Sequence, residues 1–171
     1  MGTSGRGAYR VQIDHLFGGS ALKAVDAAGF VRLPAFVRAV IERRTDARAV
    51  VIGVHDEDNC LTGYDPSFRR ALFADSERQR LQAGPQHRRV RRLFGLTDEA
   101  GYDASGRIAL PPMMRQVGRI EGLALFVGTG GAFEIWNPRL AAESDDPALA
   151  ELARWRLAHD APNRTEEGET T

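Results

Sequence analysis

The chain writes DAAGFVRLP at Asp26–Pro34 and DASGRIALP at Asp103–Pro111, 77 positions later. Aligned at that offset, residues 25–40 and 102–117 share seven of sixteen residues: Asp26/Asp103, Ala27/Ala104, Gly29/Gly106, Leu33/Leu110, Pro34/Pro111, Arg38/Arg115 and Val40/Val117. The identities have a structural logic. An Asp at the head of a turn bonds its own backbone, and a Gly three residues on takes the positive φ of a tight reversal. The residues after the Gly return as a short strand. Pro34 and Pro111 suit the opening of a helix, where a missing N–H costs nothing. One difference stands out at once: the second copy carries Arg107 where the first carries Phe30.

Working outward, the same programme is written around each copy. Leu16 to Val25 reads as a strand feeding the first turn. AFVRAVIERR (35–44) places Phe36, Val37, Val40 and Ile41 on one side of a helix. RAVVIGV (48–54) is a buried strand by its Val/Ile content, and Leu61–Tyr64 a second. TGYDP (62–66) answers EIWNP (134–138), an aromatic, an Asx cap and a Pro in each. Asp65 is expected to cap a helix opened by Pro66, with Phe68, Leu72 and Phe73 on its face and Gly84-Pro85 as its break. QHRRVRRLFG (86–95) reads as a connecting helix ended by Gly95. After the second turn, PMMRQVG is a helix, LALFVG a strand, Gly130-Gly131 a turn, AFEIW a strand, and PALAELARWRLA a terminal helix.

Each unit alone is too small for a good core. The two are therefore expected to interleave strands about an internal pseudo-two-fold. The fold expected is mainly β with peripheral helices: a duplicated β barrel. Its boundaries are a disordered N-terminus (1–12), a first half (13–82), a connecting helix (83–98), a second half (99–145), a C-terminal helix (146–161) and a disordered tail (162–171).

Composition narrows the function. The 23 basic and 23 acidic residues cancel, so nucleic-acid binding requires a local patch. Every basic residue except Lys23 is arginine, the side chain able to fork onto guanine. The single cysteine, Cys60, allows no internal disulfide and fits a reducing cytoplasm. Residues 1–10 lack the apolar core of a signal peptide, and no run approaches the ~18 apolar residues of a membrane span. Ser20 and Ser105 have no His/Asp arrangement around them, and Gly128–Gly131 lies between strands, not before a helix, so neither a nucleophile nor a phosphate cradle is expected. His55-Asp56-Glu57-Asp58 reads as a polar loop. No enzyme activity, metal or cofactor is expected.

YDASGRIALPP, with its Asp-x-x-Gly-Arg-x-x-x-Pro frame, and LFVGTGGAFEIW together resemble the MraZ family of bacterial transcriptional regulators, over about residues 16–145. The resemblance implies two AbrB-like swapped-hairpin halves and a ring of subunits. It implies binding to short direct repeats in duplex DNA ahead of the division and cell-wall gene cluster, hence a cytoplasmic, nucleoid-associated repressor. It implies no cofactor and no small-molecule substrate.

For the site, Arg107 offers five donors to a phosphate or to the O6/N7 edge of guanine. Asp103, across its turn, is expected to orient that guanidinium. Gly29 and Gly106 are expected to let the backbone approach DNA, with Ser105 and Asp26 in the same turns. In the family the first copy also has a basic residue before the Gly and Arg after it; here these are Ala28 and Phe30. Arg32 and Lys23 are candidate substitutes. Phe30 has three open placements: the core, a neighbouring subunit, or a thymine methyl. Arg38 and Arg115 read as structural ion-pairing residues, and RRVRR (88–92) as a solvated face or a bridge between subunits, with a DNA flank as the rival. The different-class alternative is a protein-interaction ring that has lost specific DNA binding.

Overall fold

The computed structural model describes residues 15–161; the two ends expected to be disordered, and residues 13 and 14 of the first half, lie outside it. The elements are β1 (Ser20–Ala24), β2 (Phe30–Arg32), α1 (Ala35–Arg44), β3 (Ala49–Val54), β4 (Leu61–Tyr64), α2 (Phe68–Ala83), and α3 (His87–Val90), which runs into a π-helical turn (Arg91–Gly95). They continue with β5 (Thr97–Gly101), β6 (Arg107–Ala109), α4 (Pro112–Val117), β7 (Leu123–Gly128), β8 (Phe133–Trp136), α5 (Pro138–Ala142) and α6 (Pro147–His159).

Six strands form one antiparallel sheet in the order β1-β7-β8-β4-β3-β5, and β2 and β6 form a separate two-stranded ribbon. The halves interleave as expected. β1 of the first half lies on β7 of the second, with Leu22 opposite Leu125. β5 of the second half lies on β3 of the first, with Val51 opposite Glu99. β4 meets β8, and β2 meets β6, at the junction of the halves.

The expected barrel is not a closed ladder. β1 and β5 remain the edges of the six-stranded sheet, and the ribbon joins them through single bridges, Val25 to Val31 and Tyr102 to Ile108. The reason is local. β2 and β6 are three residues each, and each is followed two residues on by a proline that cannot donate to a ladder.

The core lies between sheet, ribbon and the two matched helices. Val31, Leu33, Val37 and Ile41 of the first copy meet Ile108, Leu110 and Met114 of the second over Ile52, Leu61, Phe126, Phe133 and Ile135. Fully burying each such side chain stabilises by about 1.5–3 kcal/mol. A smaller cluster on the outer face packs Leu22, Cys60, Leu125 and Trp136 under Ala141 and Ala153 of α5 and α6. Burial, with the charges of Glu134 and Asp58 adding to it, pushes the Cys60 thiol well above its usual range. Native protein should therefore resist alkylation by iodoacetamide at pH 8 and react promptly once unfolded, as followed by mass spectrometry.

Asp65 differs from expectation. Its side chain is 0% exposed and does not cap α2, which starts after Ser67 with no side-chain cap bond. The carboxylate instead accepts Arg44 Nη1 at 2.9 Å and the Ser67 hydroxyl. Arg44 also donates to the carbonyls of His15 (2.7 Å) and Gly131 (2.9 Å) and lies over the Phe17 ring. A buried carboxylate needs a cation more than a helix needs its cap.

α2 buries none of its sixteen residues. It is anchored at its base by Phe68 against Tyr64 and by Phe73 against Phe94. Of the apolar face read from the sequence, Phe68 and Leu72 are half-buried and Phe73 stays exposed beside Phe94; Leu81, farther along, is exposed as well. No helix among them is long and apolar enough to cross a membrane.

Candidate nucleic-acid interface

Alternation along the ribbon decides what it presents. Val31 and Ile108 point into the core, while Phe30, Arg32, Arg107 and Ala109 point out. Antiparallel register sets Arg32 opposite Arg107 and Phe30 opposite Ala109.

Each ribbon strand leaves a turn built by its aspartate. Asp26 Oδ1 accepts the amide of Phe30 at 2.9 Å, and Gly29 donates to the Asp26 carbonyl at 2.9 Å. Asp103 Oδ1 accepts the Ser105 amide (2.9 Å), the Ser105 hydroxyl (2.6 Å) and the Arg107 amide (3.0 Å). These donors hold both carboxylates below the usual range. The Phe30 amide is the main cause at Asp26, with Arg107 helping; the Ser105 hydroxyl leads at Asp103, with the Arg107 amide next. A lowered folded pKa means the turn bonds are fully present above the ordinary value of 3.8 and are lost only as pH falls through the folded values beneath it. Carboxyl carbon titration by NMR should give both midpoints below 3.8, and the Phe30 and Arg107 amides should keep their hydrogen-exchange protection between pH 5 and 7.

The guanidinium of Arg107 does not go to Asp103. It crosses the ribbon, and Nη2 donates to Asp26 Oδ2 at 2.8 Å. From Arg107, Asp103 takes only the backbone amide, on the Oδ1 that also closes its own turn. Arg107 Cζ also lies 4.2 Å from the centroid of the Phe30 ring. Phe30 is 37% exposed, so of its three expected placements the core is excluded.

Gly29 and Gly106 have φ of +90° and +79°, as the turns require. Both are buried, and the close approach they allow is internal. A Cβ on Gly29 would lie 3.2 Å from Arg115 Nη1, and one on Gly106 would lie 3.2 Å from Arg38 Nη1. Arg115 donates to the Ala27 carbonyl (3.1 Å) and Arg38 to the Ala104 carbonyl (3.0 Å), so each helix arginine clasps the turn of the opposite half. Arg38 forms the expected ion pair, with Glu42 at 2.8 Å; Arg115 bonds only carbonyls, adding Ile120 at 3.1 Å.

The ribbon thus brings together Arg107, Asp26, Phe30 and Arg32, with Ser105 exposed in the second turn. Lys23 is not on it: it sits half-buried on β1 opposite Ala124. In the RRVRR run, Arg89 pairs with Asp56 at 3.6 Å and Arg92 donates to the Asp56 carbonyl at 3.1 Å, a bridging role within the chain.

Reading the residues in order overlooked Asp26 as the partner of Arg107. The duplication itself held the signal, since a pseudo-two-fold sets each turn beside the strand of the other copy.

His55, Cys60 and Glu134 place their ligand atoms within 4.8 Å of one another. His55 Nδ1 accepts the amides of Glu57 (3.2 Å) and Asp58 (2.9 Å). That assigns the ring proton to Nε2, which faces Glu134 Oε1 at 3.6 Å. Glu134 in turn accepts Trp136 Nε1 at 2.7 Å. In this arrangement the ring presents a proton, not a lone pair, and the group anchors the β3–β4 loop.

No protein-family model matches the chain. Among curated proteins it is similar to "Transcriptional regulator MraZ" of Alcanivorax borkumensis, 34% identical over 140 residues, covering 78% of this chain and 92% of that protein. It is also similar to the proteins of the same description from Coxiella burnetii, 32% identical over 75% of this chain and 84% of the relative, and from Legionella pneumophila, 27% identical over 81% and 90%.

Proposed function

The chain belongs to the MraZ family of transcriptional regulators, and from that premise we propose that it binds duplex DNA in a sequence-specific way through the outer face of the β2–β6 ribbon. The observation that carries this reading is Arg107: an exposed guanidinium, fixed at one position on a short ribbon whose inner face is locked into the core. Such a group matches a guanine O6/N7 edge. Arg32, opposite it in register, adds a phosphate contact.

One base-reading guanidinium and one phosphate contact per chain give too little affinity by themselves, so the proposal includes a closed ring of subunits reading short direct repeats. The exposed apolar residues of α2, Phe73 and Leu81, support a surface for that assembly. The exchange of strands between halves supports the swapped-hairpin description of each unit. The regulated target is the division and cell-wall gene cluster, the sign is repression, and the place is the nucleoid in the cytoplasm.

Selection of duplexes from a randomised library by the full chain tests this reading. A common guanine-containing motif, repeated in one orientation, is expected; random sequences with uniform affinity would overturn it. With a selected duplex, Arg32→Ala should reduce the slope of log K against log salt by about 0.9 for each phosphate contact removed, while an unchanged slope excludes Arg32 from that role. The second reading, a protein-interaction ring without specific DNA binding, is favoured by Ala28 and Phe30 standing where the family places basic residues. It predicts that the ring assembles and no motif emerges.

A further inference from the structure

We infer that the first turn serves as a holder for the second: Asp26 and Phe30 grip Arg107, so of the two counterpart positions 30 and 107 only one presents a guanidinium, and that one is held in place. The inference rests on the DNA-binding reading and deepens it.

Positions 30 and 107 are counterparts in the duplication. An Arg at position 30 would stand beside Asp103 as Arg107 stands beside Asp26. Phe30 leaves that position without a guanidinium and instead puts an aromatic ring with its centroid 4.2 Å from the one at its counterpart. Asp26 holds the same group from the side at 2.8 Å. The two contacts fix different freedoms. The ion pair sets where the guanidinium lies, and the ring sets the plane in which it lies. A free arginine loses much rotamer entropy on docking, and a group already held in one plane loses less. With Nη2 engaged by Asp26, Nε and Nη1 still supply donors on a side chain that is half exposed. The bond between Asp26 Oδ1 and the Phe30 amide joins the two parts of the grip into one rigid unit.

Two consequences distinguish a holder from a second reader. Each chain should specify one guanine, not a symmetric pair. The contribution of Phe30 should also vanish when Arg107 is absent. On a duplex selected by the full wild-type chain, Phe30→Ala should weaken binding about two- to fivefold, the range expected from an exposed cation–π contact. Phe30→Tyr, which keeps the aromatic face, should bind as wild type, and Phe30→Leu, which keeps bulk only, should behave as Phe30→Ala. All three should keep the wild-type salt slope, because no phosphate contact is removed. In an Arg107→Ala background, Phe30→Ala should cost nothing further. In the free protein, nitrogen-15 NMR of the Arg107 side chain should show faster guanidinium rotation in Phe30→Ala.

An additive double variant, equal binding by Phe30→Ala, or unchanged rotation overturns the holder and leaves the DNA reading standing. A wild-type affinity for Arg107→Ala, or the recovery of no motif at all, overturns the DNA reading, and the holder falls with it. Selection by Phe30→Arg gives an independent check: a second specified base per chain is expected, and an unaltered motif counts against a lost reader at this position.

Discussion

Asp65→Ala should destabilise the fold by about 3–5 kcal/mol, the cost of leaving a buried cation without its partner. For a chain of this length that is a fall in Tm on the order of 10 °C. Asp65 is fully enclosed, and the side chain of Arg44 is only 12% exposed, so solvent does little to replace the lost charge. Arg44 also ties three segments together: the stretch before β1 through His15, the β7–β8 turn through Gly131, and the end of β4 through Asp65. Asp65→Asn, which keeps an acceptor and loses the charge, should fall between wild type and Asp65→Ala. Arg44→Met alone strands the carboxylate and should cost as much as Asp65→Ala. The double variant leaves no buried charge unpaired, although the carbonyls of His15 and Gly131 lose their donor, and should recover part of the loss. Urea denaturation of the four variants measures all of this, and a loss below about 1 kcal/mol for Asp65→Ala would show that the pair is not a buried hub.

The repeat made much of this architecture legible. Asp-x-x-Gly twice fixes two reversals, and neither half has enough apolar residues to close a core of its own, so strand exchange follows. Helix α1 was readable to its ends because Pro34 bars an earlier start and the apolar positions 36, 37, 40 and 41 keep one face. Contacts that depend on register were not readable. Whether Arg107 turns to Asp103 or to Asp26 is decided by the pairing of Arg32 with Arg107, which no local pattern encodes. For the same reason the expectation that the glycines face DNA does not follow from the sequence: the turn demands their positive φ, but nothing local shows that the side chains packed against them belong to Arg115 and Arg38. Asp65 misled because Asp-Pro before an apolar run is a good cap signal, and only the fold reveals that this carboxylate is enclosed. Barrel closure failed at the same level, since the length of a strand before a proline is local while the reach of its neighbours is not.

Arg107→Ala should abolish guanine discrimination at the ribbon. One forked contact is worth about 1–3 kcal/mol, which is about 5- to 150-fold at a single site. Where several subunits engage repeats on the same duplex, the losses compound, because each second contact depends on the first through effective concentration. The size of the effect then reports the number of engaged chains. Loss of folding is not a competing explanation: the Asp26–Arg107 pair is solvent-exposed, with side chains 45% and 48% accessible, and pairs of that kind contribute little to stability. Thermal unfolding should therefore be near wild type while binding is lost. Arg107→Lys separates the two roles a cation can play. A lysine keeps the charge and loses the fork, so a reader of guanine stays defective, whereas a phosphate contact would largely recover. A selected duplex carrying 7-deazaguanine at the specified base removes the N7 acceptor from the other side of the same contact. It should weaken wild-type binding and leave Arg107→Ala unaffected. If both proteins lose equally on that duplex, the guanine is read by another residue, and the ribbon serves only to position the chain on the phosphates.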